Sequence, residues 1–148
     1  DLRKFFKQVH NSGIARINLF KRHPSSLKLV HLLPACFTAG VGILLLLILL
    51  GAALLGAEPS LSPDLTNTPY GVAGTALAAI GIAPLLLFAL VICADASLQN
   101  KSLKIGVLAV AASFIQLTGY GSGFLRAWWR RCIRKKDEFE AFKKNFYN

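Results

Sequence analysis

One arginine stands where a helix pattern calls for an apolar residue. In the opening stretch KFFKQVHNSGIARINLFKRHP, Leu2, Phe6, Val9, Gly13, Ile17 and Phe20 recur at helical spacing, with Phe5 beside them. Arg3, Lys4, Lys7, Asn11, Asn18, Lys21 and Arg22 fall on the opposite face. Arg16 lies within the apolar stripe, a helical neighbour of Val9, Gly13 and Phe20. A guanidinium grips a phosphate through two parallel hydrogen bonds, so Arg16 is a candidate for binding a substrate or lipid phosphate, with Lys21 and Arg22 next to it. Gly13, one turn earlier on the same face, leaves room for the approach. The alternative is a side chain that snorkels to lipid headgroups.

Other candidates for chemistry are weaker. Gly119, Gly121 and Gly123 form a triplet that cradles phosphate when it follows a strand and opens a helix. Here it closes an apolar run, so close packing or a helix break at Gly119–Gly123 is favoured. Asp137, Glu138 and Glu140 sit among Lys135, Lys136, Lys143 and Lys144, which favours exposed ion pairs over a metal site. His10, His23 and His31 share no zinc-ligand spacing. Asp95 closes the second apolar run as an interface acid, or flags function if it lies within the membrane. No Ser-His-Asp set and no carboxylate pair stands at catalytic spacing, so no catalytic or metal residue is assigned. Cys36, Cys93 and Cys132 form no CxxC pair and read as small buried hydrophobes.

The elements that would position these groups are hydrophobic. The 148 residues carry a net charge of +10, yet 54% are hydrophobic and only 16% charged. Of 17 Lys and Arg, seven lie in residues 1–28 and eight in 126–148. Only Lys101 and Lys104 are basic between them. Cationic ends around an apolar middle indicate a membrane protein whose flanks meet anionic headgroups, and make lipid phosphate a simpler partner than nucleic acid.

The pattern predicts an all-α membrane protein. Residues 1–24 form an N-terminal amphipathic helix lying in the membrane interface, ended by His23-Pro24, with Ser25 or Ser26 capping the next helix. The membrane region, 25–148, holds hydrophobic helices at about 27–57, 71–94 and 103–125. Pro34 is expected to kink the first. Gly71, Gly74, Ala78 and Gly81 in the second would admit another helix closely. Residues 58–70 form an acid-containing loop and 95–102 a polar turn. A basic amphipathic tail, 126–148, places Arg126, Trp128, Trp129, Arg130 and Arg131 at the membrane interface, with the rings at headgroup depth and the guanidinium groups on phosphate. Two cationic ends on one side and an acid-containing loop on the other accord with two crossings and not three. Either the third run does not cross fully or the tail is translocated despite its charge. The third run is long enough to cross, and three membrane helices are expected. The side on which the tail lies stays open.

Two stretches carry a resemblance. GxAR…RHP, Gly13 to Pro24, and YGxGFL, Tyr120 to Leu125, stand in the order interface helix, HLLP span, two further runs and RAWWRR. This arrangement resembles the C-terminal membrane region of bacterial family 2 glycosyltransferases of the succinoglycan-synthesis and related surface-polysaccharide type, over essentially the whole chain. The resemblance implies a nucleotide-sugar-binding catalytic domain upstream, carrying an Asp-x-Asp site for Mg²⁺ or Mn²⁺. It implies a nucleotide-sugar donor, a lipid-linked or polysaccharide acceptor, and a multi-pass place in the bacterial inner membrane with a cytoplasmic N-terminus. This sequence contains no Asp-x-Asp. It opens on Asp rather than Met without a signal-peptide pattern, which is expected of a fragment of a longer chain. The alternative is a small non-enzymatic membrane scaffold or assembly subunit that binds anionic lipid.

Overall fold

The computed structural model describes residues 1–56 and 68–137, and every regular element among them is helical. Helix α1 spans Leu2–Arg22, α2 Leu33–Gly56, α3 Pro69–Asn100 and α4 Leu103–Trp128. Short 3₁₀ turns cover Pro24–Ser26 and Leu29–His31, and a π-helical turn, Trp129–Ile133, extends α4. Three segments are long and apolar enough to cross a bilayer: Leu29–Gly56, Pro69–Asn100 and Leu103–Ile133. The chain is an all-α membrane protein. The loop expected at 58–70 lies mostly outside the described residues, as does the tail beyond Asp137.

Several boundaries depart from the periodicity. The first apolar helix begins at Leu33 rather than near residue 27. The backbone N–H of Lys28 donates to His31 Nδ1 (3.0 Å), which closes a separate 3₁₀ turn before α2. Pro34 is therefore in the first turn of α2, where its missing N–H costs nothing, and it makes no mid-helix kink. Ser26 does not cap α2; its Oγ is buried with no hydrogen-bond partner.

The expected polar turn at 95–102 is mostly helix. Asp95, four residues before Gln99, accepts from its Nε2 (2.7 Å), and Asn100 Nδ2 donates to the Ala96 carbonyl (2.9 Å). Termination waits for Lys101, whose φ of 50° and N–H bond to the Ser97 carbonyl close the helix in a left-handed cap. Gly119–Gly123 does not break α4, which runs unbroken to Trp128. The tail begins as a continuation of α4, and its described helical part ends at Ile133. There the Arg134 N–H bonds the Trp129 carbonyl five residues back, which changes the face on which Arg134 falls relative to Arg126 and Arg130.

Two compact units divide these helices. The first comprises Asp1–Thr38 with the chain from Ala111 onward; the second comprises Ala39–Val110. In the second, Gly51 meets the backbone of Gly74 and Ala78, and Gly81 meets Ile48 and the Leu44 carbonyl. Gly74 and Gly81 thus admit α2 as the spacing predicted, because two backbones approach closely only where Cβ is absent. The outer faces are bare: Leu46, Leu49, Leu87 and Leu90 are each 64–66% exposed, a surface suited to lipid rather than water.

The first unit has the buried core. Ile14, Ile17, Ala35, Phe124 and Ala127 form it, with Leu27, Leu32, Tyr120 and Leu125 packed around. Ile17 and Ala127 are fully buried. The α1 stripe is thus a helix–helix contact at Gly13 and Ile17, while Leu2 and Phe6 at its start are 54% and 40% exposed.

Candidate functional site

The glycine triplet of α4 builds this contact. Gly119 packs against Phe6 and Val9, and Gly123 against the backbone of His10. Gly13 returns the fit, lying on the Tyr120 carbonyl and the Phe124 backbone. Gly121, on another face of α4, receives Pro34 and Thr38 from the start of α2. A Cβ at Gly13, Gly121 or Gly123 would run into backbone atoms, so these three positions set how closely α1 and α2 approach α4. The triplet packs helices, as its place at the end of an apolar run indicated, and cradles no phosphate. Contacts advance together, from Phe6 beside Gly119 to Asn18 bonded to Arg131, so α1 and this part of α4 run in the same general direction.

Polar side chains are threaded through the same contact. Thr38 Oγ1 lies 2.8 Å from the Pro34 carbonyl and 3.1 Å from the Leu117 carbonyl, tying α2 to α4. His10 Nδ1 lies 3.1 Å from Ser122 Oγ, and Ser122 donates its only proton to the Gly119 carbonyl (2.9 Å). The His10–Ser122 contact ties α1 to α4. Burial holds the His10 pKa below its usual value, and the positive charge of Arg126 adds to the effect, while a hydrogen bond to the Gly119 backbone opposes it.

Arg16 is half-buried and turned into an open cavity of about 250 Å³. Its walls are Arg16 from α1, Val30 and His31 from the second 3₁₀ turn, Pro34 from α2, and Gln116, Leu117 and Tyr120 from α4. Arg16 makes no hydrogen bond or ion pair with any described residue, and no acid lines the cavity. His31 accepts the Lys28 N–H at Nδ1, so a neutral imidazole carries its proton on Nε2 and is a donor at the rim. Gln116 and Tyr120 can each donate as well. Helix α2 begins at this wall, which brings the positive end of a 24-residue helix dipole to the same place. The cavity concentrates positive potential and hydrogen-bond donors with nothing among its walls to neutralise them.

The other predicted site residues divide. Lys21 and Arg22 are exposed in the last turn of α1, where they complement the helix dipole, and neither lines the Arg16 cavity. Arg126 is exposed, and Trp128 and Trp129 are 42% and 54% exposed, as side chains at a headgroup boundary would be. Arg130 turns back, its Nε donating to the Asp137 carbonyl (3.0 Å). Arg131 turns inward: its Nη1 donates to Asn18 Oδ1 (2.9 Å). Asn18, placed by periodicity on the polar face of α1, is only 3% exposed and leaves its own Nδ2 without a partner. Arg130 and Arg131 both lie within the π turn, where side chains do not keep the faces of a regular α-helix.

Asp95 is engaged by Gln99 near the end of α3. The three cysteines are free, and Cys36 is exposed rather than buried. Among the described residues no three His, Cys, Asp or Glu side chains come together, so a divalent cation finds no ligand set there. His10, Ser122, Thr38 and Gln116 were not singled out as site residues from sequence. The signal available for all four was a polar residue within or beside an apolar stripe or span. No family model, curated protein or solved structure matches the chain.

Proposed function

We propose that the chain is the membrane-anchoring, acceptor-side region of a glycosyltransferase that moves a sugar from a nucleotide-sugar donor during cell-surface polysaccharide synthesis. One observation supports this reading above the rest. The two stretches that carry the resemblance, Gly13–Pro24 and Tyr120–Leu125, are about a hundred residues apart in sequence, yet they pack on each other and share one cavity. Gly13 lies on Tyr120 and Phe124, while Arg16 and Tyr120 line the same walls.

In this reading the first unit is the platform on which a preceding catalytic domain works, and Arg16 is the group that meets phosphate there. On the same reading the donor site and its Mg²⁺ or Mn²⁺ belong to that domain. The protein sits in the bacterial inner membrane with α1 on the cytoplasmic side, where basic segments are retained. Mass spectrometry of the native polypeptide from its membranes tests this directly. The expected result is peptides continuous with Asp1 that extend about 150–250 residues upstream through a nucleotide-sugar-binding sequence. A native chain with no such domain would overturn the transferase reading and leave a lipid-binding scaffold.

A further inference from the structure

The Arg16 cavity is smaller than a site for a whole nucleotide sugar. Pockets that bury drug-sized ligands run from about 300 to 1,000 Å³, and this one, at about 250 Å³, falls below them. It is large enough for a phosphate group and the few atoms attached to it. Its chemistry is two-sided. Arg16, His31, Gln116 and Tyr120 supply positive charge and hydrogen-bond donors, and the positive end of α2 reinforces them, while Val30, Pro34 and Leu117 are apolar. Beside it, Leu29, Val30 and Leu33 are 83%, 59% and 64% exposed. These side chains offer an apolar path that a soluble phosphate would have no use for.

The depth of the cavity in a bilayer agrees. The segment Leu103–Ile133 has 31 residues, or about 46 Å of helix against a hydrocarbon core of about 30 Å. Counting about 20 residues from Lys104 brings the far bilayer face near Phe124, one turn from Tyr120.

We infer that this cavity binds the phosphate of a membrane lipid, with the Arg16 guanidinium as the phosphate clamp, Gln116 and Tyr120 as hydrogen-bonding walls, and the lipid tail lying along Leu29, Val30 and Leu33. The site does not depend on the transferase reading: a scaffold would use it equally. The Arg16 guanidinium, without a hydrogen bond or ion pair among the described residues, then has a partner, and Gly13 is what brings α1 near enough to α4 to close the cavity.

Calorimetric titration of the native polypeptide in detergent tests the site with three probes: dihexanoyl phosphatidic acid, dihexanoyl phosphatidylcholine and inorganic phosphate. Phosphatidic acid is expected to bind tightest. Arg16→Ala should weaken it about tenfold to a hundredfold, the range for losing a hydrogen bond to a charged group. Arg16→Lys should fall between, since it keeps the charge and loses the fork. Lys4→Ala/Lys7→Ala, which removes two exposed charges from α1, should change affinity less than twofold. Should Arg16→Ala fail to fold, Gln116→Leu, at an exposed position of α4, is the substitute, with a severalfold loss expected. Unchanged affinity in the Arg16 or Gln116 variant overturns the site. Inorganic phosphate binding as tightly as phosphatidic acid overturns its assignment to lipid. Phosphatidylcholine also carries a phosphate, so lipid binding that survives Arg16→Ala reduces the interaction to tails. An equal loss in the double lysine variant reduces it to diffuse charge, and either outcome overturns the site.

Discussion

The two units solve the same packing problem with different side chains. Both bring helices together at glycines: Gly51, Gly74 and Gly81 in one, Gly13, Gly119, Gly121 and Gly123 in the other. In the second unit the crossing between α2 and α3 is lined by aliphatic and small residues, and its outer leucines face outward. In the first, His10, Asn18, Thr38, Ser122 and Arg131 are drawn into or beside the contact, and Arg16 lines the cavity at its edge. Burying polar groups weakens a contact unless each finds a partner. In the second unit the α2–α3 crossing packs small and aliphatic side chains, whereas the first gives over part of its helix surface to holding Arg16, Gln116 and Tyr120 around a cavity.

The glycines provide the sharpest break of this comparison. Gly13→Ala and Gly123→Ala place a methyl group on backbone atoms of the facing helix, which cannot swing away, and each is expected to cost about 1–3 kcal/mol. Gly51→Ala should behave alike, because its neighbours are the Gly74 carbonyl and the Ala78 backbone. Thermal unfolding in one detergent measures all three. The comparison predicts a further separation: Gly13→Ala and Gly123→Ala also weaken phosphatidic acid binding, and Gly51→Ala does not. If all three lose binding together, the cavity is not a property of the first unit.

Next in size is the Asn18–Arg131 bond. Arg131→Ala leaves the Asn18 side chain buried with neither its oxygen nor its Nδ2 bonded to Arg131, a loss of about 1–3 kcal/mol. Asn18→Leu removes the buried polar group altogether, so the double variant should be more stable than Arg131→Ala alone. A double variant that is no better would show that Asn18 is not the group left stranded.

A pH titration of stability sharpens the contrast further. The folded-state pKa of His10 lies below its unfolded value near 6.5, so the unfolded chain binds the proton more readily. Stability from this residue is complete above pH 6.5, declines as pH falls through that value, and levels off below the folded pKa. His10→Gln should flatten this part of the wild-type profile in thermal unfolding. An unchanged slope would place the acid sensitivity on another group.

Smallest is Gly40→Ala on α2, where a Cβ meets nothing within 4 Å. It is expected to be neutral or to stabilise by up to about 1 kcal/mol through helix propensity alone. A marked loss at Gly40 would mean that another surface covers this face.

How much of this was legible depended on whether a residue's role was local. The apolar runs, the basic ends and the α1 stripe follow from hydrophobic period and charge placement, and they specify helices long enough to cross a membrane. The small residues of α3 announced close packing. Local hydrogen bonds hid the true end of α3, because Asp95–Asn100 reads as a polar turn until Gln99 is seen reaching back to Asp95. The π turn hid the inward path of Arg131, since a periodic reading assumes one helical geometry throughout.

By itself the sequence determined that this is a helical membrane chain with cationic ends, and that Arg16 was out of place. Periodicity and transfer energy act residue by residue, so one chain suffices to read them. Only tertiary structure decided where Arg16 went. The cavity needs α1, the turn before α2 and α4 to converge, and that convergence rests on backbone contacts between glycines and residues about a hundred positions apart, such as Gly13 with Tyr120. No local pattern encodes which glycine faces which helix, which is why the triplet in α4 is ambiguous in sequence and plain in the fold.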